Sequence, residues 1–149
     1  MSPFLRVFFD ADVIIAGSAS PNGVSHALLQ VAELGLIEGW TTPQVVDEVR
    51  RNLRQKLPHA VAVFEALWPR CLQMSPDPDD ASLQRVSDYA HVKDRHVVAA
   101  AVQIPTHWLV TFNVRHFYAP PRLMVLRPQE AIQQLRTVIS ELAASAESD

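Results

Sequence analysis

Two acids, Asp10 and Asp12, close an apolar run. A third, Asp94, stands just before Val97-Val98-Ala99-Ala100, and a fourth, Glu48, lies among Val45, Val46 and Val49. Thr111 and Asn113 close a further apolar run. Carboxylates are the hard oxygen donors that Mg²⁺ and Mn²⁺ take. Gathered in one place they repel one another, and a divalent cation removes that conflict. The cation can then activate water and offset charge building on a phosphate. Each residue also has a plainer reading. Asp10 could simply end a strand, Glu48 could be a solvated helix residue, Asp94 a helix cap, and Asn113 a turn former. Joint placement is what favours chemistry, and it depends on the elements that carry these residues.

Phe4-Leu5-Arg6-Val7-Phe8-Phe9 has the composition of a buried strand, ended by Asp10. Residues 18–23 form a loop by composition. Val24, Ala27, Leu28, Val31 and Leu34 have helical spacing, stopped by Gly35, and residues 36–40 suit a short strand. Thr42-Pro43 starts a helix with an apolar stripe of Val45, Val46, Val49 and Leu53. Another helix opens at Pro58, runs through Ala60, Val63, Phe64 and Leu67, and is ended by Pro69. Residues 71–74 follow as a strand and residues 76–80 as a turn-rich connector. Two helices are predicted over residues 80–90 and 93–103, the second closed by Pro105, then strands over 107–111 and 123–126. A last helix runs from Pro128 to about Ala144, with a frayed end over residues 145–149.

Short apolar strands alternating with helices predict an α/β domain on a mainly parallel sheet. The carboxyl ends of such strands carry the functional site. Asp10, Asp12, Thr111 and Asn113 would then emerge on one edge. Glu48, three residues from Val45, would border the buried face of its helix, and Asp94 would lean over the face that packs on the sheet. Asp10, Glu48 and Asp94 are expected to converge on a metal-sized site.

The chain has 149 residues, of which 48% are hydrophobic and 19% charged, which fits one domain over residues 1–149. The formal net charge of −3 is unlike that of domains binding nucleic acid by phosphate neutralisation. An acidic metal site that reaches phosphate through cations is a partial exception. A single cysteine, Cys71, excludes an internal disulfide and reads as a buried small side chain in a reducing compartment. Asp10 and Asp12 interrupt the N-terminal apolar run, and no window approaches a membrane span. The expectation is a soluble cytoplasmic protein with no membrane partner.

The residues already quoted resemble the PIN-domain family. Val7-Phe8-Phe9-Asp10-Ala11-Asp12-Val13-Ile14-Ile15 resembles its opening strand and first acid. Val45-Val46-Asp47-Glu48-Val49 resembles the second acid, with Glu48 and not Asp47 in the role. Val92-Lys93-Asp94-Arg95-His96-Val97 resembles the third. Leu109-Val110-Thr111-Phe112-Asn113, then His116-Phe117, resembles the final strand and turn. The four segments span residues 4–117 in family order. The resemblance implies a three-layer α/β/α sandwich, a Mg²⁺ or Mn²⁺ site and RNA cleavage. It also implies kinship with the toxin halves of bacterial toxin–antitoxin pairs, hence a cognate antitoxin, and it leaves room for a homodimer. Asp10, Glu48 and Asp94 would bind metal and Asn113 would join them in catalysis, with Asp12, Thr111 and His116 in support. Asp12 stands where Asn is frequent in the family, Asn113 where many members carry Asp, and His116 where Asp often precedes the Phe.

Two rivals differ in class. Asp10-Ala11-Asp12 after a strand also resembles haloacid-dehalogenase-like phosphatases, with Asp10 as nucleophile and Thr41 or Thr42 as phosphate ligand. That family needs acids after its final strand, which Thr111-Phe112-Asn113-Val114 lacks. A catalytically degraded PIN-like RNA-binding or interaction module is the other, supported by Asn113 and His116. Arg50, Arg51, Arg54 and Lys56 form a local basic stretch suited to an RNA backbone, or simply to a solvated helix end.

Overall fold

The computed structural model describes residues 5–118, 120 and 122–148. Phe4, the expected start of the first strand, and Asp149 lie outside them. In chain order the elements begin with β1 (Arg6–Phe9), α1 (Ala11–Ala19), α2 (Val24–Glu33), β2 (Glu38–Thr41) and α3 (Pro43–Lys56). Next come α4 (Val61–Cys71), β3 (Leu72–Met74), α5 (Asp80–Arg85), α6 (Arg95–Gln103), β4 (Trp108–Val110), β5 (Met124–Leu126) and α7 (Pro128–Ser148).

The strands form one all-parallel sheet in the order β3-β2-β1-β4-β5. Helices flank it in the α/β/α arrangement expected from the strand–helix alternation. β1 is central, and Val7, Phe8 and Phe9 are fully buried, which is why the strand reads as apolar beyond Arg6. Phe9 pairs with Val110 of β4, so the next residues along, Asp10 and Thr111, leave the sheet side by side.

Several local expectations hold for clear reasons. Thr42 Oγ1 accepts from the Val45 N–H at 3.3 Å, capping α3, whose Val45, Val46, Val49 and Leu53 are all buried. Gly35 takes φ +83° just past α2, a left-handed conformation that suits glycine at a helix stop.

Others are corrected. α1 fills residues 11–17, between the expected strand and loop, and takes in Ser18 and Ala19 from the expected loop. Asp10 is its N-cap, with the side chain accepting from the Ala11 N–H. The β-branched Val13, Ile14 and Ile15 hide this helix from propensity; burial of Val13 and Ile14 overrides it. α4 passes through Pro69 because the proline sits in the last turn. Its missing N–H forfeits one bond, and the Leu72 N–H still closes on Trp68. Of the apolar residues along α4, Phe64 and Leu67 are buried and Val63 is exposed. α5 stops at Arg85, not Ala90. Val86, Ser87 and Tyr89 instead bond three residues back, at 3.3, 3.3 and 3.0 Å, in a stretch where Ser and Asp disfavour helix. A 3₁₀ turn over Val92–Asp94 delays α6 to Arg95. α7 continues through the expected frayed segment to Ser148, with no Gly or Pro to stop it.

Among the described residues no helix is long and apolar enough to cross a membrane.

Candidate metal centre

The parallel pairing of β1 with β4 builds the centre. The Asp10 N–H donates to the Val110 carbonyl at 3.0 Å, fixing the N-cap of α1 against the end of β4. Asp10 Oδ1 accepts from the Ala11 N–H at 2.8 Å, and Oδ2 accepts from the Thr111 hydroxyl at 2.8 Å. Asp12, in the first turn of α1, takes the Phe112 N–H at 3.0 Å and the Asn113 amide at 3.2 Å on its Oδ2. Thr111 Oγ1 lies 3.4 Å from that same oxygen and accepts the Asn113 N–H at 3.1 Å. Asp10, Asp12, Thr111 and Asn113 are thereby one hydrogen-bonded group. Asp10 is only 6% exposed. Asp12 Oδ1 is buried without a hydrogen-bond partner.

Such a group resists carrying its charges. Burial, and then the charge of Asp12, push the Asp10 carboxyl up to about 7; the Thr111 hydroxyl and the Ala11 N–H pull it down, and Asp94 pushes it up again. Asp12 is also raised, first by burial, although the Phe112 and Val13 N–H groups and Thr111 favour its ionised form; Asp94 again raises it. A buried carboxylate and a half-buried one with an orphaned oxygen, under the influence of a third, are short of positive charge. A hard divalent cation is the group this donor set fits.

Asp94 ends the 3₁₀ turn that precedes α6. Its side chain does not cap the helix; Asp94 Oδ2 lies 3.1 Å from His116 Nδ1. His116, where an acid would add to the repulsion, instead holds an acid in place. Glu48 is exposed on α3 and stands apart from the hydrogen-bonded group. It lines a cleft of about 790 Å³ together with Gln44, Arg51, Lys93, Arg95 and His96. Burial lowers the His96 pKa, while the charges of Glu48, Asp94 and Asp77 oppose that shift. Among the described residues no three His, Cys, Asp or Glu side chains are grouped closely enough to make a ready-formed metal cage.

The basic stretch is divided. Arg50 is held by Glu65, with contacts of 2.9 and 3.3 Å, and by Asp47 at 3.1 Å. Arg51, Arg54 and Lys56 remain exposed along α3. Arg51 and Arg54 line a second cleft of about 630 Å³.

Sequence reasoning had put Asp12 in a supporting place and had not singled out Lys93, Arg95 or His96. Arg95 Nε and His96 Nδ1 are buried without partners. The available signal was adjacency: a Lys, an Arg and a His surround Asp94 within four residues. Cys71 is buried, and burial pushes its thiol up to about 11, the environment of an inert core cysteine.

A family model described as PIN domain matches residues 6–115. No curated protein sequence matches the chain. Among solved structures, the chain is similar to VapBC2 from Rickettsia felis, bound to a DNA fragment from their promoter. The TM-score is 0.64 at 10% identity, over 81% of this chain and 97% of that one. It is also similar to VapC20 of Mycobacterium tuberculosis, a sarcin-ricin loop cleaving toxin. There the TM-score is 0.52 at 11% identity, over 72% of this chain and 90% of that one. At such identities the likeness is one of fold.

Proposed function

This chain belongs to the PIN-domain family, and from that premise we propose that it is a divalent-cation-dependent ribonuclease, the toxin half of a toxin–antitoxin pair. The observation that carries the reading is the pairing of buried Asp10 with half-buried Asp12 at the carboxyl end of β1, with the unpartnered Asp12 Oδ1 and both carboxyl groups raised in pKa. The toxin assignment is drawn from the fold shared with VapBC2 and VapC20. RNA is the substrate of the reading, and Mg²⁺ or Mn²⁺ its cofactor.

Asp10, Asp12 and Asp94 would hold the cation, with Glu48 on the neighbouring cleft wall. When bound, the cation supplies charge compensation for the phosphate and acidifies a water. The chain's own residues do the rest. Thr111 fixes the orientation of Asp10 with its hydroxyl and receives the Asn113 N–H. Asn113, through its amide, keeps Asp12 Oδ2 directed into the group. His116 orients Asp94. Arg51, Lys93 and Arg95 give the cleft beside Glu48 the positive charge an RNA backbone needs, in a chain of net charge −3. Both Asp10 oxygens are hydrogen-bonded and buried, which disfavours Asp10 as a covalent phosphatase nucleophile.

The test is direct. Purified protein should cut RNA in Mg²⁺ or Mn²⁺, stop in excess EDTA, and stop when Asp10 is replaced by Asn in a variant that still folds. Cleavage that survives Asp10→Asn, or that proceeds equally in EDTA, would overturn the proposal.

A further inference from the structure

Three rings stand in a row beside Asp94. His116 Nδ1 lies 3.1 Å from Asp94 Oδ2. The His116 ring centroid is 4.6 Å from that of His91, tilted by 34°, and His91 is 5.4 Å from Tyr118, tilted by 40°. The row joins two segments far apart in sequence, and the backbone fixes it. Ala90 and Phe117 form an antiparallel bridge. The His91 N–H donates to the His116 carbonyl at 3.1 Å, and the Tyr118 N–H to the Tyr89 carbonyl at 2.8 Å.

Core packing does not account for the row. Phe117 is the ring this segment buries, at 7% exposure, whereas Tyr118 is 47% exposed and His91 is exposed as well. Aromatic faces left open next to an acidic phosphate-processing centre have an obvious chemical complement. Unpaired nucleobases stack on aromatic side chains, and every base has a π-face to offer.

We propose that His91, His116 and Tyr118 form a base-stacking platform. An unpaired base adjoining the phosphate held at the acids lies on Tyr118, with His91 behind the ring and His116 tying the row to Asp94. The proposal rests on the nuclease reading and deepens it. It makes the substrate single-stranded at the cut, because the base faces of a duplex are already covered by their neighbours. Preorganisation is built in: the row is locked to Asp94 and to the 90–118 backbone, so little ordering is left for binding.

The experiment uses the full chain carrying Asp10→Asn, so that RNA stays intact, and a short unstructured RNA with 2-aminopurine placed at each position in turn. One position should lose fluorescence on binding as its base stacks. Tyr118→Ala and His91→Ala should weaken binding by about fivefold to a hundredfold and restore the fluorescence. Tyr118→Phe, which keeps the ring and removes the hydroxyl, should preserve both. The same RNA annealed to its complement should bind at least about tenfold more weakly. Tyr118 is half-exposed, so melting of its Ala variant should match the parent. Cleavage by the chain with Asp10 intact is measured alongside. If that chain cuts the RNA while the Ala variants bind and quench as the parent does, the rings serve another contact, such as a protein surface, and the platform is wrong by itself. If the chain neither binds nor cuts RNA, the nuclease reading falls and takes the platform with it.

Discussion

Replacing Asp10 by Asn should stabilise the metal-free protein at alkaline pH and abolish its response to metal. In the fold the Asp10 carboxyl is raised from 3.8 to about 7, chiefly by burial. A carboxyl raised by folding favours the protonated native state, so its contribution is full below about pH 4. That contribution is lost progressively as pH rises to about 7. Three units at roughly 1.4 kcal/mol each give about 4 kcal/mol, an upper figure because Asp12 titrates in the same group. Asn should fit the same place. Its oxygen can keep the cap on the Ala11 N–H, and its NH₂ can donate to Thr111, whose own proton then turns to Asp12 Oδ2, now 3.4 Å away. In EDTA at pH 8 the variant should melt roughly 5–15 °C above the parent, and the gap should close toward pH 4.5. Saturating Mn²⁺ should close most of that gap. Native-state binding at 100 times the dissociation constant adds about 2.7 kcal/mol to the parent alone. The assay is thermal melting across pH, with EDTA and with Mn²⁺. A variant less stable than the parent at pH 8 in EDTA would refute the electrostatic account. So would a gap unchanged between pH 4.5 and pH 8.

Thr111→Val removes the hydroxyl that donates to Asp10 and accepts from Asn113. Asp10 should titrate still higher, and apparent Mn²⁺ affinity near neutral pH should fall by about tenfold or more in a calorimetric titration. Asn113→Ala should lower RNA turnover at saturating Mn²⁺ while leaving metal-free melting nearly unchanged. Lower stability with the parental rate would instead make Asn113 a turn former. Glu48→Gln should depress cleavage at saturating Mn²⁺ while leaving metal-free melting at neutral pH nearly unchanged, since Glu48 is exposed. Removing Arg51, Arg54 and Lys56 together should lower the salt slope of RNA binding by about one unit per lost phosphate contact. Arg50→Ala should leave that slope alone, because Glu65 and Asp47 already hold its charge.

The sheet was legible because β1 and β4 are buried on both faces and their sequences carry that burial as apolar runs. β2 and α3 were legible through punctuation: Gly35 ends one helix and Thr42-Pro43 begins the next. α1 was not, and the reason lies in Val13-Ile14-Ile15. These residues favour strand when judged alone, and only their packing against neighbouring helices makes a helix of them. Pro69 misled in the opposite direction, since a proline in the last turn costs less than one in the middle.

The candidate site divides along the same line. Asp10, Thr111 and Asn113 could be placed together because a parallel sheet sends the carboxyl ends of adjacent strands to one edge, and β1 and β4 are adjacent. That inference needs only topology. Glu48 and Asp94 sit on elements whose distance from that edge depends on packing angles that no spacing rule encodes. Asp94 turned to His116 instead of capping its helix, and Glu48 stayed exposed on the wall of a cleft that His96 also lines. Asp12 went the other way. As the position where family members often carry an amide, it looked subordinate, yet it holds the one carboxylate oxygen that is buried and unpartnered among the described residues. An amide there would lighten the repulsion on Asp10; a carboxylate raises it. The sequence difference at Asp12 therefore strengthens the electrostatic demand for a cation, which the loss of an acid at Asn113 would otherwise have weakened.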